Sequence, residues 1–290
     1  MMKKLLYQLD TDLLPSVFDN VVAHDGGADQ VIPYGGITPD NMGPLVEGAI
    51  FTRAPKDKKN TAIFVGGSNL VEGESLFSAI QNKFFGKFRV SLMLDSNGAN
   101  TTAAACVAWL TQGRPIEGKQ AIVLGGTGPV GQRVAVMLGR AGAEVTLTGR
   151  QLERTRQVCA QLNQRYGLTV AAAAAPDLES RGQSIQGKEI VVSTGASGVT
   201  MLEETQWAQA TGLELIADAN ASPPVGIGGI DMTDRATLRH GVLCFGPLGF
   251  GALKLALHRE CIGRLFDSNN LVLDAEAIFE RARILLAASL

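Results

Sequence analysis

The chain has 290 residues, with 26 Lys+Arg against 28 Asp+Glu and a formal net charge of −2. It therefore lacks the basic excess of a nucleic-acid-binding protein. At 46% hydrophobic and 19% charged residues it also falls outside the disordered class. The length suits two domains or one large α/β unit, and 34 glycines direct attention to ligand loops.

In chain order, Leu5–Leu9 reads as a first strand. The stretch before Asp10 starts basic like a signal peptide, but its apolar run is too short and Asp10 and Asp12 interrupt it. Strands are predicted at Ala62–Val65 and Arg89–Leu94, with Leu76, Phe77, Ile80 and Phe84 at helical spacing between them. Thr101–Thr111 is an Ala-rich helix capped by Asn100 or Thr101. The loop Gly113-Arg114-Pro115 marks a domain edge. Beyond it follow a strand at Ala121–Leu124, a helix at Pro129–Arg140, a strand at Glu144–Thr148 and a helix at Leu152–Tyr166. Later strands fall at Glu189–Ser193, Glu214–Ala217 and Val242–Phe245. Helices run from Phe250 to Phe266 and from Asp274 onward. The alanine run 171–175 stays unassigned; with Val170 it is far too short to span a bilayer and stops at Pro176. Strand–helix alternation implies α/β folding with parallel sheets. Cys106, Cys159, Cys244 and Cys261 form no C-x-x-C and no Cys/His cluster, so they read as free buried thiols of a reducing compartment. The expectation is a soluble cytoplasmic protein with neither a membrane nor a nucleic-acid partner.

The sharpest local signal is Gly126-x-Gly128-x-x-Gly131, placed between a strand and a helix with a second strand following. Gly126 is expected to permit the tight turn, Gly128 to let the backbone approach a pyrophosphate, and Gly131 to let helix and strand pack closely. Thr127, Pro129 and Val130 complete the loop; the helix start offers free N–H groups to phosphates, and Pro129 suits its first turn. The alternative is an ordinary tight βα turn. After the next strand, Leu147-Thr148-Gly149-Arg150 with Gln151 and Arg154 supplies no carboxylate for a ribose 2′-hydroxyl. It supplies guanidinium groups suited to a 2′-phosphate, so the cofactor is read as NADP, against solvated helix-start charges. A second turn, Val65-Gly66-Gly67-Ser68, lacks the spacing and is read as a fold turn. Ser193-Thr194-Gly195-Ala196 and Asp218-Ala219-Asn220 end strands at the carboxyl edge, so Ala196 and Asn220 are assigned to the cofactor's ribose–nicotinamide side. Pro223-Pro224 reads as a rigid loop over it. His24 and His240 are read as structural or surface residues, and Asp25 and Asp29 are too few to argue a metal.

Several segments are distinctive: Asp10-Thr11-Asp12 with Pro15-Ser16-Val17-Phe18-Asp19, Asp25-Gly26-Gly27-Ala28-Asp29, Leu94-Asp95-Ser96-Asn97-Gly98-Ala99-Asn100-Thr101-Thr102, Ile227-Gly228-Gly229-Ile230-Asp231, and the helix Gly249-Phe250-Gly251-Ala252-Leu253-Lys254-Leu255-Ala256-Leu257-His258-Arg259. Together they resemble the NADP-dependent methylene-tetrahydromethanopterin dehydrogenase family of methylotrophic bacteria over essentially the whole chain. The methylene-tetrahydrofolate dehydrogenase/cyclohydrolase family is similar but more distant. The resemblance implies hydride transfer from a pterin methylene bridge to NADP in one-carbon metabolism, in an interdomain cleft of a homo-oligomer, a trimer in relatives. It implies an α/β substrate domain, residues 1–112, and a Rossmann-type doubly wound NADP domain, residues 113–266, with helices at 267–290 open to packing back on the first.

Four positions match the family's active site: Phe18, Thr102, Lys254 and His258. Taken without the family, Phe18 reads better as a plain core aromatic, and Thr102 reads equally as a helix cap. Lys254 and His258, spaced i and i+4, read as a solvated stripe beside the apolar Leu253, Leu257 and Cys261. A cationic Lys254 disfavours a forming methenyl cation, so it either contacts the pterin carbonyl or a phosphate away from the reacting carbon, or is neutral through desolvation. The Tyr-x-x-x-Lys motif of the cyclohydrolases is missing: Tyr7 is followed four residues on by Thr11, and Tyr34 by Thr38. Dehydrogenase activity without cyclohydrolase activity is therefore expected. Two other readings stay open, a shikimate-type NADP oxidoreductase and a nonenzymatic NADP-binding sensor. The run Lys56–Lys59, where the former class needs a lysine, looks like a solvated loop.

Overall fold

The computed structural model describes residues 2–289. In chain order its strands and helices begin with β1 (Leu5–Asp10), α1 (Val17–Asp25), β2 (Gln30–Tyr34), α2 (Gly43–Phe51), β3 (Thr61–Gly66), α3 (Leu70–Lys83), β4 (Ser91–Leu94) and α4 (Ala99–Thr111). There follow β5 (Gln120–Leu124), α5 (Pro129–Arg140), β6 (Glu144–Gly149), α6 (Leu152–Tyr166), β7 (Ala171–Ala174), α7 (Leu178–Ser184), β8 (Ile190–Ser193), α8 (Glu204–Trp207) and β9 (Leu215–Asp218). The last elements are β10 (Arg235–Arg239), β11 (Val242–Phe245), α9 (Pro247–Arg264), β12 (Val272–Leu273) and α10 (Ala275–Ala288). Contacts divide the chain into one unit of residues up to Thr101 plus Leu255–Arg281, and another of Thr102–Lys254 plus residues from Ala282. The divisions fall inside α4, α9 and α10 rather than at the loop Gly113–Pro115 or after Phe266, because each of these helices contributes residues to both units.

The first unit holds a parallel five-stranded sheet of order β12-β4-β3-β1-β2. Its inner strands β3 and β4 are buried at every residue, which their unbroken apolar runs require. Pro33 sits in β2, at an edge, where a missing N–H is tolerated. Leu76, Phe77 and Ile80 of α3 pack with Ile63, Val65, Leu92 and Leu94 in one core, as their spacing predicts. Asn69 caps α3 by accepting from the Val71 and Glu72 N–H groups.

The second unit holds a seven-stranded sheet of order β10-β11-β9-β8-β5-β6-β7, parallel except for β10 against β11. From β5 the chain runs outward through β6 and β7, then returns to β8 on the other side. The strand order thus reverses between β5 and β8, whose carboxyl ends flank the crevice where ligands bind in such sheets. The unassigned alanine run is the edge strand β7, in register with Thr146–Gly149 of β6; pairing by β6, not alanine's own propensity, makes it a strand. The core of this unit gathers Ile122, Leu124, Val191, Ile216 and Trp207.

Candidate functional site

At the end of β5 the positive φ falls on Gly125, at 65°, so Gly125 makes the tight turn expected of Gly126. Gly126 is needed for closeness instead: a Cβ there would lie 2.7 Å from the Leu147 side chain. The Gly126 N–H donates to the Thr148 carbonyl at 2.8 Å, tying the turn to β6. Gly128 caps α5, and a Cβ on it would meet nothing within 4 Å, which leaves an open approach to the backbone. A Cβ on Gly131 would lie 2.5 Å from Gly126 Cα, the close helix–strand packing its place predicts. Pro129 opens α5, and with Thr127 and Val130 it is half-buried; the Thr127 carbonyl accepts from Gln132 at 2.9 Å.

Beside this loop lies a cavity of about 320 Å³ lined by Thr127, Arg150, Gln151, Arg154 and Thr155. Arg150 directly follows β6 and Arg154 stands in the first turn of α6; both are exposed. Thr155 is buried and its hydroxyl donates to the Gln151 carbonyl at 2.8 Å, holding the start of α6. The lining joins two guanidinium groups to the fingerprint residue Thr127 and includes no carboxylate. That donor set fits a phosphate on a nucleotide's ribose better than it fits a free 2′-hydroxyl.

Across the crevice, the Thr194 hydroxyl donates to the Leu124 carbonyl at 3.1 Å, and Ala196 is exposed beyond β8. Asp218, first residue of the strand-end segment expected on the ribose–nicotinamide side, organises the next loop. Its carboxylate accepts from the N–H groups of Asn220 at 3.1 Å, Gly226 at 2.7 Å and Ile227 at 3.1 Å. Burial pushes the Asp218 carboxyl up although these bonds pull it down. Asn220, expected at the cofactor, uses its side chain within the loop: it donates to the Pro224 carbonyl at 3.0 Å and accepts from Ser222 N–H at 3.0 Å. The Pro223–Pro224 bond is cis.

In the first unit, Phe18 on α1 is 49% exposed, and its ring centroid lies 6.3 Å from that of His258. On the other hand His258 is fully buried at 0%, its ring stacked on Phe64 at 5.6 Å. A solvated stripe is therefore excluded for His258, and Leu253, Leu257 and Cys261 beside it are buried as expected. The half-buried Lys254 stands one helical turn before it on α9. His258 Nδ1 faces Asp95 Oδ2 at 3.8 Å. Asp95 also takes over the capping expected of Asn100 or Thr101: its Oδ1 accepts from the Asn100 and Thr101 N–H groups at 2.9 and 3.1 Å, and its Oδ2 from the Thr101 hydroxyl at 2.6 Å. The half-buried Thr102 follows on that helix. So Phe18 and His258 meet directly, while Asp95, which the sequence reading missed as a functional residue, joins His258 to the start of α4.

Other candidates resolve structurally. The glycine turn at Ser68 has its donors taken by Asp12, which accepts from Ser68 N–H at 3.0 Å and from its hydroxyl at 2.9 Å. Lys58 is not solvated: it is 1% exposed, its ammonium donating to the Lys87 carbonyl at 3.2 Å over the Phe88 ring, and burial pushes its pKa down. All four cysteines are buried free thiols. Asp25 pairs with Arg259 at 2.9 Å and Asp29 accepts from Lys4 N–H at 2.7 Å. Among the described residues no group of three His, Cys, Asp or Glu side chains is placed to hold a metal ion, and no helix is long and apolar enough to cross a membrane.

Residues 17–97 match the family model described as methylene-tetrahydromethanopterin dehydrogenase, N-terminal. The chain is 50% identical over 285 residues to a Methylorubrum extorquens protein named bifunctional protein MdtA, covering 98% of this chain and 99% of that one. It is 31% identical over 239 residues to the NAD(P)-dependent methylenetetrahydromethanopterin dehydrogenase of the same organism, covering 80% of each. Among solved structures, the ligand-free 5-ketofructose reductase of a Gluconobacter species superposes with a TM-score of 0.55 at 15% identity, over 98% of this chain and 99% of that one. This last likeness is one of fold.

Proposed function

Because the chain belongs to the methylene-tetrahydromethanopterin dehydrogenase family, we propose that it oxidises methylene-tetrahydromethanopterin to the methenyl form with NADP. NADP, when bound, supplies the hydride acceptor. The observation that carries the cofactor half is the cavity in which Arg150 and Arg154 stand beside Thr127 of the Gly126–Gly131 loop, with no acidic side chain in its lining. Gly128, Pro129 and Val130 would hold the pyrophosphate at the start of α5, and Ala196 and the Asn220 loop would flank the ribose and nicotinamide.

The substrate's two nitrogens push hydride off the bridging carbon, so no general base is needed; the protein's task is to hold the partners in contact. Phe18 offers an exposed aromatic face for the pterin. Thr102 offers a hydroxyl to it. Lys254 is assigned to the pterin carbonyl or a phosphate, away from the carbon that becomes cationic. His258, at 0% exposure, supports Phe18 from below rather than touching substrate.

Although the Methylorubrum extorquens relative is named bifunctional, neither Tyr7 nor Tyr34 is followed by lysine four residues on, and we assign no cyclohydrolase activity. The four buried free thiols support a cytoplasmic protein, and the exposed apolar side chains Leu13, Leu14, Val17 and Val21 support a homo-oligomer, assigned as a trimer on the family resemblance. The deciding assay follows NADPH absorbance with methylene-tetrahydromethanopterin, methylene-tetrahydrofolate and shikimate in turn. The first is expected to drive NADPH formation. Turnover of shikimate alone, or NADP binding with no turnover, refutes the assignment. Accelerated methenyl hydrolysis by the pure protein refutes the monofunctional part.

A further inference from the structure

We propose that Asp95 is a positioning residue of this reaction, its single carboxylate setting both the start of α4 and the imidazole of His258 on which Phe18 rests. The inference rests on the dehydrogenase reading above and adds a residue that neither the fingerprint nor the four matched positions contain.

The geometry leaves the carboxylate no slack. Asp95 is 0% exposed at the end of β4, where its own N–H donates to the Val65 carbonyl at 3.1 Å. Oδ1 is shared by two backbone N–H groups of the first turn of α4, and Oδ2 accepts the Thr101 hydroxyl at 2.6 Å. A carboxylate held by three donors cannot rotate, so the face it presents to His258 Nδ1 at 3.8 Å is fixed. At 3.8 Å this pair is beyond hydrogen-bond reach, so the carboxylate acts on the imidazole through its charge, which favours the tautomer that carries its proton on the near Nδ1. The imidazole is clamped further by Phe64, stacked at 24° between ring planes, while Phe18 leans on it at 44°. Phe18 is the only one of these three rings that is exposed. Its orientation is thus set by a buried pair it shields, and near-attack contact in hydride transfer is sensitive to shifts of about 1 Å. Asp95 acts through His258 on Phe18, and through the first turn of α4 on Thr102.

Four variants and one spectrum test this. Asp95→Asn keeps the shape and one acceptor but removes the charge. It is expected to lower kcat for methylene-tetrahydromethanopterin oxidation about tenfold, the scale of a buried charge-assisted hydrogen bond, and to leave the KM for NADP unchanged within about twofold. His258→Gln should lower kcat similarly, and the double variant should lose less than the product of the two single losses, because part of what Asp95 does passes through His258. Thr101→Val, milder should Asp95→Asn fail to fold, removes one donor and should lower kcat about threefold at constant KM for NADP. Independently of turnover, side-chain ¹⁵N NMR can resolve His258, because the chain has only 3 histidines. The wild type should show the Nδ1-protonated tautomer, and Asp95→Asn or Thr101→Val should shift it. Unchanged kcat in Asp95→Asn, additive losses in the double variant, or an unshifted His258 signal overturns the proposal. A wild type that shows no turnover defeats the dehydrogenase reading instead, and the NMR comparison then still decides whether Asp95 governs His258.

Discussion

Removing the Arg150 guanidinium separates NADP recognition from general nucleotide binding. A 2′-phosphate carries about −1.5 to −2 charges near neutral pH. Arg150 and Arg154 both line the cavity and both are exposed, so each contact belongs at the lower end of the range for charged hydrogen bonds, about 1.5 kcal/mol. With Arg154 still present, Arg150→Ala should weaken NADP binding about tenfold. Removing both should weaken it about a hundredfold, with some departure from additivity because the two share one phosphate. NAD, which lacks that phosphate, should bind the variants within about twofold of wild type. Screening provides a second readout. At about 0.15 M salt the Debye length is about 8 Å, so raising salt should erode the wild-type preference for NADP and leave the doubly substituted protein's NAD affinity nearly flat. Fluorescence titration with NADPH and NADH at fixed ionic strength measures all of this. Equal losses for both nucleotides mean that Arg150 acts on the loop rather than the phosphate; unchanged NADPH affinity removes it from the site.

Gly128 and Gly131 should behave oppositely in melting and binding experiments. A methyl on Gly131 runs into the backbone of Gly126, so Gly131→Ala should cost about 1–3 kcal/mol of stability and lower Tm. Gly128→Ala meets nothing, so it should melt like wild type yet bind NADP poorly; normal NADP affinity there argues against a pyrophosphate at that backbone. Lys254→Met should raise the KM for the pterin or lower kcat without changing NADP affinity, and full activity makes Lys254 a bystander. Asp177 caps α7, accepting from Ser180 N–H at 2.8 Å, and that bond holds its carboxyl below the usual range. A carboxylate lowered in the folded state stabilises the fold above the ordinary carboxylate pKa and loses that contribution as pH falls through the lowered value. Asp177→Ala should therefore depress Tm at neutral pH, with the gap closing in strong acid; a pH-independent gap refutes the ionic cap.

The elements legible in the sequence are those whose signals are local. Helix α5 starts at Pro129 behind Gly128, as the proline's fit to a first turn predicts, and α6 ends at Tyr166, as expected, before Gly167 at a positive φ of 64°. Strands β3, β8 and β11 announce themselves as apolar runs. By contrast α1 and α2 have nine residues each, too few for a clear period. The strand β2 is a partly exposed edge containing Pro33, and β10 carries a register shift and Ala236 at a φ of 54°. Of the cavity lining, Arg150 and Arg154 are readable, because residue type and distance from the fingerprint suffice. The roles of Asp12, Asp95 and Asp218 are not readable: each accepts from backbone N–H groups of a later turn, anywhere from 2 to 56 residues on, at separations that no spacing rule records. The same holds for His258. Helical periodicity places it beside Lys254, but its burial comes from Phe64 on a strand far earlier in the chain.

The first sheet is finished late. Its edge strand β12 and the His258 half of α9 belong to residues 255–281, which follow Thr102–Lys254, the bulk of the second unit, in the chain. A nascent polypeptide emerging from the ribosome therefore displays β1–β4 with an unpaired edge at β4 and with Phe64 uncovered until that return segment arrives. Domains usually mature in the order they are made; here the earlier-synthesised one must wait for the later, leaving an apolar surface for chaperones to shield in the interval.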